Sequence, residues 1–272
     1  GLVEPLVDQS VVVRPIVPVG VSPHGYQLTP SDIADLSRAT LVVTVGTPLE
    51  PAISRAIDHA VPTEAIFSIA GSLGIDADAC SDHGHHEGHD HDHGDAADPH
   101  LWLDPGLMLQ LVEPLADAIA ARSIAHPQQS GYRIALAAGI ESIDASYTQE
   151  LAAFRGRAIV THHDAFRRIA DRYGLEVAQV IRPVSSVEPT PGDLASAAEA
   201  IREHGSGAIF IEPQFSDALP RRIADRTGVQ VFTLDPVGSD DWINLMRANL
   251  RSLVGGLSAA MPGGEVPTMP DG

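Results

Sequence analysis

The chemistry in this sequence is carried by imidazole. The chain has thirteen histidines in 272 residues. Six of them (His83, His85, His86, His89, His91 and His93) fall in one run, SDHGHHEGHDHDHGDAAD, interleaved with Asp, Glu and Gly. Neutral imidazoles at that density coordinate zinc, copper or nickel, with carboxylates as auxiliary ligands. A run so polar and glycine-rich cannot build a packed core, so it reads as a flexible surface loop. The same composition also describes a low-complexity insertion with incidental metal affinity. It does not fit a zinc-protease helix, because an HExxH beginning at His86 would need a histidine where Asp90 stands.

The scattered histidines are more informative. His24 lies in VSPHGYQLTP, His100 in DPHLWLDP and His163 in IVTHHDAF, while Asp235 lies in VFTLDPVG. His163 follows a strand-like run and opens a helical one, and Asp235 closes another strand-like run. In open α/β sheets, ligand groups gather just beyond the carboxyl ends of strands. Three imidazoles and one carboxylate make a tetrahedral set for Zn²⁺, or a larger set for Mn²⁺ if the carboxylate is bidentate. Each residue alone has a plainer role: His24 could cap a turn, His100 could satisfy a loop carbonyl and Asp235 could cap a helix. His162 competes directly with His163.

The elements that would position these groups alternate along the chain. Strand-like runs are VVVRPIVPV (11–19), LVVTVG (41–46), AIFSIA (65–70), AIVT (158–161), LEVAQV (175–180), AIFIE (208–212) and VQVFTL (229–234). Helical stretches at 31–39, 50–60, 105–122, 164–173, 192–204, 216–227 and 240–257 lie between them. That alternation means parallel sheets with helices packed on them. The two halves also echo each other. TPSDIADL (29–36) recurs as TPGDLASA (190–197), each with a Thr-Pro start and an Asp three residues after the Thr, the pattern of a capping box. A β-branched run and then Glu50-Pro51 or Glu212-Pro213 follow each copy. Between the halves, SGYRIALAAGIESIDASYTQELAAF (130–154) predicts a helix about 38 Å long, a rigid spine rather than a linker.

The expected fold class is therefore α/β, with two lobes, each a parallel-rich sheet flanked by helices, joined by one long spine helix. The lobes are expected at 1–126, with the His-rich loop at 81–98, and at 155–260. The spine falls at 127–154, and residues 261–272, rich in Pro and Gly, form a flexible tail.

Composition narrows the function. With 36 acidic residues against 17 basic ones, all of the latter Arg, the formal charge is −19, which argues against nucleic acid and anionic membrane as partners because phosphate binding draws on clustered positive charge. No apolar run approaches the roughly 20 residues that span a bilayer. One cysteine, Cys80, permits neither an intrachain disulfide nor a four-sulfur zinc site, so any metal site is built from His and carboxylates. The opening GLVEPLVDQS lacks both a signal-peptide pattern and an initiator Met, as a mature or trimmed fragment would.

Four segments carry a family resemblance, in order and across nearly the whole chain. PHGYQLTPSDIADLSRATLVVTVGTPLEP, DPHLWLDP, THHDAFRRIADRYGLE and AIFIEPQFSDALPRRIADRTGVQVFTLDPVG resemble the four ligand-bearing regions of the metal-binding components of zinc and manganese ABC importers, the ZnuA/TroA type. The resemblance implies His24, His100, His163 and Asp235 as ligands of one divalent metal held between the lobes. It favours His163 over His162, because the ligand of that pattern directly precedes an Asp-Ala-Phe-like triplet. An acidic, His-rich loop just before the second ligand is typical of the zinc branch, so Zn²⁺ is implied ahead of Mn²⁺. The implied partners are an ABC importer membrane permease and a zinc metallochaperone, the implied site of action is periplasmic or extracytoplasmic, and the implied state is a monomer. In two respects the chain departs from the family pattern: the strand that usually opens the first lobe is missing, and the spine carries no Lys.

Three rival functions remain at this stage. A zinc buffer or an adhesin would act through the His-rich loop. A zinc hydrolase would need an open coordination position, which four protein ligands remove, and HExxH, GxSxG and P-loop motifs are all absent. Metal uptake by a His-dominated site is expected to weaken as pH falls through the imidazole range, because the ligands must be deprotonated.

Overall fold

In the computed structural model, residues 1–47, 49, 51–75, 98–182, 190–238 and 241–259 are described. They divide into two compact units, one of Gly1–Ala145 with Val237–Ile243, the other of Ser146–Pro236 with the chain from Asn244 onward. The class is α/β with parallel sheets in both units.

The first unit is built on a two-stranded parallel sheet, β1 (Val42–Thr44) beside β2 (Ile66–Ser68), in the register Val42–Ile66, Val43–Phe67, Thr44–Ser68. Helix α1 (Pro30–Leu36) starts at the predicted capping box: Thr29 accepts from the Asp32 amide and the Asp32 carboxylate accepts from the Thr29 amide. Helices α2 (Pro51–Ala60) and α3 (Ile69–Ser72) follow the two strands. Leu36, Val42, Ile53, Ile57 and Val61 form a core, with Tyr26 and Leu28 packed against it. Helix α4 (Pro105–Ala120) buries Met108, Leu111, Val112, Leu115, Ala116 and Ile119. Their i, i+3, i+4, i+7 spacing is the stripe expected of a helix with one face in the core.

The second unit holds a four-stranded sheet of β3 (Ala158–Thr161), β4 (Glu176–Val180), β5 (Ala208–Ile211) and β6 (Gln230–Thr233), ordered β4-β3-β5-β6 and parallel throughout. The central strands β3 and β5 are buried at every residue. Strands covered on both faces read as continuous apolar runs, as AIVT and AIFI do. Helices α6 (Arg167–Tyr173), α7 (Pro191–His204) and α8 (Ala218–Thr227) make the crossovers. α7 repeats the capping box of α1, with Thr190 and Asp193 in place of Thr29 and Asp32.

The spine is helical: α5 (Gln129–Leu151) continues into a 3-10 turn at Ala152–Phe154. It begins in the first unit and ends in the second, as does α9 (Trp242–Ser258). Within the second unit, the fully buried Tyr147 of α5 donates its hydroxyl to the Met246 carbonyl of α9 at 2.9 Å.

One expected strand is absent. Residues 11–19 take no strand pairing. Pro15 and Pro18 remove two of the backbone donors that a ladder needs, and Val12 is left 88% exposed. Among the described residues, no helix is long and apolar enough to cross a membrane.

Candidate metal centre

In the first unit, His24 sits in a short 3-10 turn, Pro23–Gly25. The chain just after it is tied down by Asp32, a buried carboxylate. Asp32 Oδ2 accepts from the Tyr26 hydroxyl at 2.9 Å and from the Thr29 amide and hydroxyl, both at 2.8 Å, while Arg14 lies 3.5 Å from Oδ1. These bonds, those from Thr29 foremost, hold the Asp32 carboxyl below the usual carboxylate range. The same contact pushes the Tyr26 hydroxyl up, because losing its proton would remove the bond it donates.

His100 is buried and precedes a 3-10 turn, Leu101–Leu103, which leads into Asp104, the N-cap of α4. Asp98 Oδ1 lies 2.9 Å from the His100 backbone nitrogen and 2.7 Å from Nδ1. A carboxylate can only accept, so the proton of the neutral ring belongs on Nδ1 and Nε2 carries a lone pair. That Nε2 lies 3.2 Å from Nε2 of His24, the rings meeting edge-on with centroids 5.3 Å apart. Two nitrogens bound at about 2.0–2.1 Å to one tetrahedral Zn²⁺ lie roughly 3.3 Å apart. The pair therefore has the spacing of one edge of such a tetrahedron, and Asp98 supplies the carboxylate that commonly backs a zinc-bound imidazole.

In the second unit, His162 and His163 leave the carboxyl end of β3, and both rings pack against Phe215, with centroids 5.3 Å and 5.9 Å from it. The His162 amide donates to the Phe210 carbonyl at 2.7 Å, and its buried ring stands edge-on to Phe215. The His163 Nδ1 lies 3.1 Å from Glu212 Oε1, both residues being buried. Glu212 directly follows β5 and fixes the His163 tautomer as Asp98 fixes that of His100. Asp235 follows β6 and is clamped through its main chain. Its amide donates to Asn249 Oδ1 at 2.9 Å, and Asn249 Nδ2 donates back to its carbonyl at 2.8 Å. Its side-chain Oδ1 accepts from Gln214 Nε2 at 2.7 Å.

The structure thus brings His24 and His100 together within one unit. In the other, it places His163 on Glu212 and Asp235 on Gln214. The loop histidines His83, His85, His86, His89, His91 and His93 lie outside the described residues. Sequence reasoning did not assign the partners Asp98, Glu212, Gln214 and Asn249. Asp98 had a local signal, since an acid two residues before His100 can close an Asx-type turn onto it. Glu212 stood out only as part of a repeated Glu-Pro. Gln214 and Asn249 carried no signal, because their partners are distant in sequence.

Comparison with known proteins agrees with this chemistry. The family described as zinc-uptake complex component A, periplasmic, matches residues 2–256. The zinc-binding protein AdcA of Streptococcus pyogenes serotype M3 is 25% identical over 262 residues, covering 88% of this chain and 50% of that protein. The chain thus spans about half the length of the AdcA relatives it matches. The high-affinity zinc uptake system protein ZnuA of Haemophilus ducreyi is 30% identical over 250 residues, covering 86% of this chain and 80% of that protein. Among solved structures, the periplasmic zinc-binding protein TroA from Treponema pallidum shares the fold, with a TM-score of 0.75 at 22% identity and 94% of each chain covered. The chain belongs to the zinc-uptake complex component A family.

Proposed function

We propose that this chain is the extracytoplasmic zinc-binding component of an ABC metal importer, which captures one Zn²⁺ with His24, His100, His163 and Asp235 and delivers it to a membrane permease. The observation that carries this reading is the 3.2 Å separation of the His24 and His100 Nε2 atoms, with Asp98 behind His100. The Glu212 carboxylate behind His163 supports it, as do the zinc-uptake and zinc-binding names of the relatives. Three imidazoles and a carboxylate complete a tetrahedron, so the metal is cargo rather than a catalyst with an open position.

On the same reading, residues 1–126 and 155–260 are the two metal-binding lobes, 127–154 the connecting spine and 261–272 a tail. The chain works as a monomer, and the His-rich loop is an auxiliary, weaker metal collector able to accept zinc from a metallochaperone. Removal of zinc against a chromophoric chelator tests the proposal. One tight site plus several weaker ones is expected, with His163→Ala removing the tight site alone. Deleting residues 83–93 should leave that tight site in place. Only graded, weak binding would overturn the importer reading in favour of a buffer or adhesin acting through the loop.

A further inference from the structure

We propose that Gln214 is a specificity-determining residue, which holds Asp235 to ligation through one carboxylate oxygen and so biases the site toward four-coordinate zinc over manganese. This rests on the reading of Asp235 as a ligand.

Immediately after β5, the Phe215 amide donates to the Glu212 carbonyl at 3.3 Å, closing a four-residue turn with Pro213 at its second position. Proline pre-sets the backbone for that position, so the turn is stiff. Glu212 and Gln214, two residues apart in this turn, carry separate contacts: Glu212 meets His163 and Gln214 meets Asp235. One short rigid segment therefore positions both ligands that the second unit contributes.

The Gln214 contact is directional. An ionised carboxylate has no proton to give, so the amide must present its NH₂ to Asp235 Oδ1. At 2.7 Å, this is at the short end for a hydrogen bond to a charged acceptor. The Asp235 main chain cannot swing to relieve it, because Asn249, itself buried, brackets that residue through both amide and carbonyl. Oδ1 keeps a second lone pair, but bidentate ligation would require the carboxylate to turn Oδ1 toward the metal, off the line of the Gln214 bond, and would draw charge away from that bond. With Oδ1 committed, three nitrogens and one oxygen give the tetrahedral set that suits zinc. Manganese favours more oxygen donors, which a bidentate carboxylate would supply.

The test uses the full chain, stripped of metal and loaded with one equivalent of Co²⁺ as a probe of geometry, with Zn²⁺ and Mn²⁺ affinities measured by competition. Gln214→Met keeps the side-chain length and deletes the donor, and Gln214→Ala repeats the measurement should the thioether disturb the turn. The expected result is weaker visible Co²⁺ absorption per bound ion, as coordination rises above four. The Zn²⁺:Mn²⁺ affinity ratio should fall by about tenfold, within the ~10–100-fold span of outer-shell effects. Equal losses for both metals with an unchanged Co²⁺ spectrum would overturn the proposal and leave Gln214 a mere prop. No change in either would overturn it as well. Asp235→Ala separates this failure from that of the underlying reading: an unaltered Co²⁺ spectrum and zinc affinity in that variant would mean that Asp235 is not a ligand at all.

Discussion

The Nε2 atoms of His24 and His100 lie 3.2 Å apart, although 76 residues separate the two in the chain. On the proposed ligand set both rings hold the metal, so neither is dispensable. His24→Ala should weaken zinc binding by more than the roughly 100-fold upper range of outer-shell substitutions. Chelator competition on the purified variant checks this, and a loss of less than about tenfold would remove His24 from the ligand set.

On the proposed ligand set, Asp98 and Glu212 act on the metal through the histidines they contact. Asp98→Asn and Glu212→Gln should each lower zinc affinity by about 10–100-fold while leaving one tight site per chain. Isothermal titration gives stoichiometry and affinity together. Loss of the site outright would mean that these carboxylates ligate the metal themselves.

The capping box of α7 makes an acid-sensitive contribution to stability. Bonds from the Thr190 hydroxyl, then from its amide, hold the Asp193 carboxyl below its ordinary range. A carboxyl whose folded value is depressed stabilises the fold above its unfolded value, and that contribution is lost as pH falls through the folded one. Asp193→Asn should therefore lower stability at pH 7 and converge on the wild type well below about pH 4. Thr190→Ala should cost about 1 kcal/mol at neutral pH. Urea unfolding of both variants from about pH 2.5 to about pH 7, the span over which carboxyls titrate, measures the effect.

Gly256→Ala tests the packing of α9 on the sheet. Alanine is the better helix former by about 1 kcal/mol. Its Cβ, however, would lie 2.4 Å from Phe210 Cζ and 3.1 Å from Ala208 Cβ. Phe210 is buried in the central strand and has no room to retreat, so overpacking of about 1–3 kcal/mol should outweigh the helical gain. A net fall in thermal stability is expected, and a rise would show that the α9 contact is looser than this.

Much of the fold was legible because local rules and tertiary packing agree. Thr29 and Asp32, like Thr190 and Asp193, form capping boxes that depend on residues three apart. AIVT and AIFI are apolar at nearly every position because β3 and β5 are covered on both faces. The run at 11–19 misled because β-branched residues suggest a strand, whereas pairing also needs backbone donors, and Pro15 and Pro18 withhold two of them.

The sequence by itself determined the α/β class, the long helix now seen at Gln129–Leu151, and a set of imidazoles and carboxylates whose types suit zinc. These follow from periodicity, capping and donor chemistry, which act over a few residues. Only the tertiary structure decided that His24 meets His100, that His163 rests on Glu212, that both His162 and His163 pack against Phe215, and that Gln214 holds Asp235. The reason is geometric: a hydrogen bond depends on tenths of an ångström and tens of degrees between groups distant in sequence, and only the packed elements carrying them set those values.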